Sequence, residues 1–377
     1  MSELNIPTAE QFEITIKNLT NIATALGSRI DTTTWEGIRQ AVKAGVAPQL
    51  FPVGTQFHVS HSVFGDMQYD VVAHDYLKSA KDKNAHTMTL QCHDVLPSIQ
   101  IDNREAFYYA ETSLAAGTYN FTIATGNSSW TAGTYQFTLG QTLPAGGQLL
   151  IDGYPSQSLT TLYVNAYASR ETTTVTESVR ITSGGNGTSL GTMGVELNHI
   201  SRCAYGSNNY KESAVRQFLN SMSAAGAVWA AQTKFDRPPY WAASRQGFMK
   251  GLPSDFLSVI GEVIVPCSAN KTYESADSSI AVGSKYTIND RFYIASMKEL
   301  RGAIANAVDD DSVRLPFYND ALRIDYVKNR SGAPVIWRTR TPASSGSSGI
   351  WSILSNGESS TYGAADEYGV APMCTIV

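Results

Sequence analysis

The chain has 377 residues, enough for two or three cores, with 42% hydrophobic and only 16% charged residues and a net charge of −5. With no Lys/Arg stripe, binding nucleic acid by neutralising phosphates is not expected. No apolar run reaches the roughly 20 residues of a membrane-spanning helix, and the opening Met1-Ser-Glu-Leu-Asn-Ile-Pro7 lacks the basic and apolar parts of a secretory signal. Folding in a cytoplasm is expected.

Residues 1–48 read as a helical anchoring or oligomerisation segment. Thr8 and Gln11 are spaced as a capping box, and Phe12, Ile16, Leu19, Ala23 and Leu26 recur at coiled-coil spacing up to Gly27. A helix docked on its own core fits that pattern equally well. A second helix is predicted from Trp35 to Ala44, with Ile38 and Val42 on one face and Gly45 as its stop. From Phe51 the period changes to two, as in Phe51–Val59 and Tyr69–Asp75, which predicts strands.

Residues 105–193 read as a block of nearly pure β-structure. It holds a repeat sixteen residues apart, Ala116-Gly-Thr-Tyr-Asn-Phe-Thr-Ile123 and Ala132-Gly-Thr-Tyr-Gln-Phe-Thr-Leu139. Tyr119, Phe121 and Ile123 share one face of the first copy, and Tyr135, Phe137 and Leu139 share one face of the second. Such faces serve either as core or as a sugar platform.

Beyond the block, Val215, Phe218, Leu219 and Met222 form the apolar side of a helix within 207–220. Ser296 and Glu299 are spaced as a capping box. Val335–Arg338 reads as a strand entry that Pro342 stops, opening a Ser/Gly surface loop. Ile350–Leu354, the turn Asn356-Gly357 and a buried final strand complete the chain.

The motifs in this last part carry a resemblance. Trp337-Arg-Thr-Arg-Thr-Pro342, Trp351, Asn356-Gly357 and Gly369-Val-Ala-Pro372 are similar to the ending of C-type-lectin-fold proteins of the bacterial and phage branch related to formylglycine-generating enzymes. Ser213-Ala-Val-Arg-Gln-Phe-Leu-Asn220 and Asp290-Arg-Phe-Tyr-Ile-Ala-Ser-Met-Lys-Glu299 resemble earlier motifs of the same branch, in the same order. The fold class implied is α+β: a C-type-lectin-like domain over 49–104 and 194–377, a sandwich-like β-domain inserted at 105–193, and a short helical N-terminus.

In that family the C-terminal loops form the binding face. The resemblance therefore implies ligand contacts at Arg338, Arg340, Trp351, Tyr362, Asp366 and Glu367, with self-association through Phe12, Ile16, Leu19 and Leu26. It implies a phage virion protein that attaches to a bacterial surface glycan or protein beside other virion proteins. The alternative is a purely architectural virion component. A homo-oligomer is expected; nucleic acid and membrane insertion are not.

No catalytic motif, cofactor or metal site is expected. His58 and His61 point to opposite faces of a strand, and Asp309-Asp-Asp311 reads as a solvated run. Cys92, Cys203, Cys267 and Cys374 read as buried thiols. The paired reactive cysteines of the enzymatic relatives would have to be Cys267 and Cys374.

Overall fold

The structure, a computed structural model, describes residues 30–124, 131–151, 162–192, 199–270 and 283–377. The seam Phe12, Ile16, Leu19 and Leu26 and the Thr8–Gln11 pair lie outside the described residues. No helix among the described residues is long and apolar enough to cross a membrane. The fold is mixed α+β and mostly sheet.

The predicted second helix is α1 (Trp35–Lys43), capped by the Thr34 side chain and followed by Gly45 at φ +70°. Ile38 and Val42 are buried, and Trp35 sets its ring against Phe57 and Phe256. A single turn, α2 (Ala47–Leu50), leads into β1 (Gln56–His61), β2 (Gly65–His74), β3 (Met88–Cys92) and β4 (Leu96–Gln100).

The β-block contains β5 (Tyr108–Tyr109), β6 (Gly117–Ile123), β7 (Gly133–Leu139), β8 (Gln148–Ile151), β9 (Tyr163–Tyr167), β10 (Glu177–Arg180), β11 (Thr182–Ser183) and β12 (Thr188–Thr192). They form two four-stranded sheets, β10-β9-β8-β5 and β11-β7-β6-β12. Phe121 and Phe137 from one sheet and Leu149, Val164 and Val179 from the other share one apolar cluster, as in a sandwich. The sixteen-residue repeat is the antiparallel pair β6–β7, and its aromatic faces are buried in that cluster. Packing, not a sugar platform, is their use.

The chain returns through α3 (His199–Tyr205), α4 (Ala214–Leu219) and α5 (Ser254–Val259). Met222 does not share the α4 face as expected: the helix ends at Leu219, and Met222 is 55% exposed. Next come β13 (Val263–Ser268), β14 (Lys285–Asp290), β15 (Phe292–Ile294) and α6 (Met297–Arg301). Both halves of the Ser296–Glu299 capping box are present at the start of α6.

The last strands are β16 (Lys328–Arg330), β17 (Ala333–Val335), β18 (Trp337–Pro342), β19 (Gly349–Ile353), β20 (Ser359–Gly363), β21 (Glu367–Val370) and β22 (Pro372–Ile376). One five-stranded sheet runs β1-β2-β3-β22-β15 and another β20-β19-β18-β21-β4. The final strand is buried at every position and sits between β3 and β15. A single large core, with Trp241, Trp337, Phe218, Phe248 and Phe292 among its bulkiest members, underlies both sheets.

β18 ends at Pro342, as the sequence suggested, but all six of its residues are buried because both edges are paired and both faces are covered. This relocates the expected loop from 338–349 to 343–348.

Candidate functional site

The six residues expected to form a binding face separate into different environments. Arg338 is fully buried, which corrects its expected exposure. Its guanidinium donates to Ser352 Oγ and to the carbonyls of Tyr362, Gly363 and Asp366. It also lies 4.6 Å from the Tyr368 ring centroid, and burial lowers its pKa to about 10. Arg338 therefore shapes the hairpin from within, and none of its donors reaches the surface.

Arg340 is likewise internal, at 2% exposure. It makes a fork with Glu299 (2.6 and 2.9 Å), reaches Asp310 Oδ2 at 3.1 Å, and donates to the carbonyls of Pro266 and Ile294. Asp310 is thus the buried partner of an arginine, contrary to the expectation for the 309–311 run. Trp351 is half-buried and donates its indole N–H to Asn306 O, away from the Arg338 cluster. Tyr362 packs on Tyr368 at 4.8 Å between centroids; Asp366 and Glu367 are exposed.

Glu367 leads to the feature that the sequence did not disclose. It pairs with Gln100 in the β21–β4 register, and its carboxylate bonds the Tyr240 hydroxyl. From this rim a cleft of about 200 Å³ runs along the seam between the β-block and the larger core. Gln100, Asn103 and Arg104 form one wall, Tyr167, Arg170 and Thr172 of the block a second, and Arg237 and Tyr240 a third.

Two of the three arginines are visibly held in place by their neighbours. Arg237 stacks on the Tyr167 ring at 4.0 Å and donates to Thr172 O. Arg170 stands over Tyr109 and donates to Lys234 O. Burial, reinforced weakly by the nearby Arg104 charge, lowers the Arg237 pKa. Among the described residues Glu171 is the only carboxylate lining the cleft, against the three guanidinium groups of Arg104, Arg170 and Arg237.

The same two segments that build the cleft carry acids on their inner side. Asp102, Glu105 and Asp236 are buried, and one carboxylate oxygen from each lies within 4.8 Å of the others. Arg202 on α3 bridges Glu105 (2.6 Å) and Glu212 (2.7 Å). Backbone bonds Ala106 N–Phe235 O and Glu105 N–Cys203 O, with Asn103 Nδ2–Pro238 O, hold the segments together.

Two other features draw less chemistry together. A larger opening, about 830 Å³, is lined by Arg39, Lys43, Lys81 and Arg291 beside Asp82 and Glu262. Arg39 is paired with Glu36, Arg291 is spent on the carbonyls of Leu257 and Ile260, and no aromatic ring is among its lining residues. All four cysteines are buried free thiols; burial pushes Cys267 up to about 12 and Cys374 well above its ordinary value. A reactive pair needs the opposite shift.

No curated protein and no solved structure matches the chain. One family description matches residues 182–377, from the last strands of the β-block to the final strand. This match covers just over half of the sequence, and the chain belongs to that family, DUF6273, a domain of unknown function.

Proposed function

We propose that the protein is a binding module of C-type-lectin-like architecture. It takes a surface carbohydrate bearing an anionic group in the seam cleft, and it serves attachment of a phage particle to its host. The observation that carries the reading is the cleft itself: Arg104, Arg170 and Arg237 line it together with Tyr167 and Tyr240. Guanidinium forks recognise carboxylate or phosphate groups, and tyrosine offers a stiff, amphipathic face to a sugar ring. The volume suits one charged sugar unit rather than a long oligomer.

The lectin-like assignment rests on the C-terminal motifs and on a core sheet that brings the first strands beside the last. Glu367, through its bond to Tyr240, stands at the rim of the cleft in this reading. Arg338 and Arg340 support the scaffold and are not ligand contacts.

The test is saturable binding of the purified protein to intact bacteria and to a panel of neutral and acidic glycans. The comparison is an Arg170→Ala/Tyr240→Ala variant of equal thermal stability. Selective binding of acidic glycans, lost in the variant, supports the reading; equal binding by both proteins removes the cleft from it. A second reading, packing against a neighbouring chain, draws on Leu322 and Ile324, which are 70% and 68% exposed on one turn. Assembly onto particles without any cell binding would favour it.

A further inference from the structure

We propose that the buried acids at the root of the β-block, Asp102, Glu105 and Asp236, hold a divalent cation, best fitted by Ca²⁺. The proposal does not depend on the seam cleft binding a sugar. Three carboxylate oxygens within 4.8 Å of one another leave a central point about 2.8 Å or less from each. Ca²⁺ takes oxygens at roughly 2.3–2.6 Å, whereas Mg²⁺ demands about 2.0–2.1 Å in a stricter geometry. Small movements close the site around the larger ion.

A second observation points the same way. Glu105 is 1% exposed; Arg202 takes its Oε2, but its Oε1 has no hydrogen-bond partner. An orphaned carboxylate oxygen in a dry site carries its full desolvation cost. Asp102 Oδ2 receives the Ser207 N–H at 3.4 Å.

The charge balance completes the case. The groups that face one another are Asp102 and Glu105 from the segment after β4, Arg202 on α3, Glu212, and Asp236 from the opposite segment. Asp236 accepts from Gln232 N–H, Thr233 N–H and the Thr233 hydroxyl, and Glu212 is partly exposed, yet four carboxylates still face one guanidinium, an arrangement that proteins resolve with protons or with metal.

The site would rivet the first strand connection of the block to the loop at 232–240. Saturating CaCl₂ should raise the thermal midpoint of the EDTA-stripped full-length protein by about 5 °C at pH 8. Calorimetric titration of the EDTA-stripped protein with CaCl₂ should give one ion per chain. Asp236→Asn, which keeps the shape of the 232–236 turn, should abolish uptake; Glu105→Gln is the second variant should the first fail to fold. No uptake by the wild type at pH 8, or equal uptake by wild type and a folded variant, overturns the proposal.

Discussion

Replacing Arg340 with alanine removes the centre of the charge network beneath β18. The side chains of Arg340, Glu299 and Asp310 are at most 2% exposed. The substitution strands two carboxylates and the carbonyls of Pro266 and Ile294 without their donor. Breaking a buried ion pair from one side costs about 3–5 kcal/mol, because the remaining charge is left uncompensated. Total stabilities of about 5–15 kcal/mol make such a variant marginal. The assay is urea unfolding at pH 7, followed by tryptophan fluorescence and circular dichroism. An Arg340→Met/Glu299→Gln/Asp310→Asn variant should recover much of the loss. It removes the charges together, and the amide that replaces the Glu299 carboxylate can still close the capping box. A loss below about 1 kcal/mol for Arg340→Ala, or a triple variant no more stable than the single one, refutes this account.

Further outcomes are expected elsewhere. Trp337→Ala should cost about 3–5 kcal/mol, because the ring is fully buried and its indole N–H serves Tyr326 O; urea midpoints check it. Arg338→Lys should cost about 1.5–3 kcal/mol, since an ammonium cannot span Ser352 Oγ and three carbonyls. Hydrogen exchange should show the loss concentrated in 359–370, and unchanged protection there would refute the role. His61 is buried with Nε2 on Phe248 O and Nδ1 facing the N–H groups of Val63 and Phe64, an arrangement that fits only the neutral ring. Burial lowers its pKa, so the unfolded chain takes the proton first and stability falls as pH drops below about 6.5. A His61→Gln variant should show a flatter stability profile between pH 7 and pH 5.

Elements whose cause is local were legible in the sequence. The repeat at 116–123 and 132–139 declares its strands because one face must be buried, and Ser296 with Glu299 declares a helix start because both partners lie within one turn. Gly45 marks the end of α1 for the same reason. The fate of Arg338 and Arg340 was not legible. Charged residues in a Ser/Thr/Gly-rich stretch suggest a surface loop, but β18 is an interior strand, and the groups that receive its arginines lie 14 to 74 residues away. The seam was hidden for a like reason. Asp102, Glu105, Arg202, Glu212 and Asp236 have no common spacing, and only the return of the chain past the β-block brings them together. Trp351, Tyr362, Asp366 and Glu367 fell between these cases: near the surface, as the motif suggested, yet with Trp351 directed elsewhere.

The position of β22 between β3 and β15 sets a timetable for synthesis. Thr89 on β3 meets Thr375 on β22, 286 positions further along the chain. At about 5–20 residues per second a ribosome needs roughly 15–60 s to supply that partner. Throughout this interval β3 has an open backbone edge, the kind of surface on which other chains nucleate. The strands of the β-block all pair within 105–192 and can close long before. Ribosome-stalled chains ending near residue 240 should thus carry a protease-resistant block flanked by cleavable segments, and the waiting edge is where a chaperone would be needed.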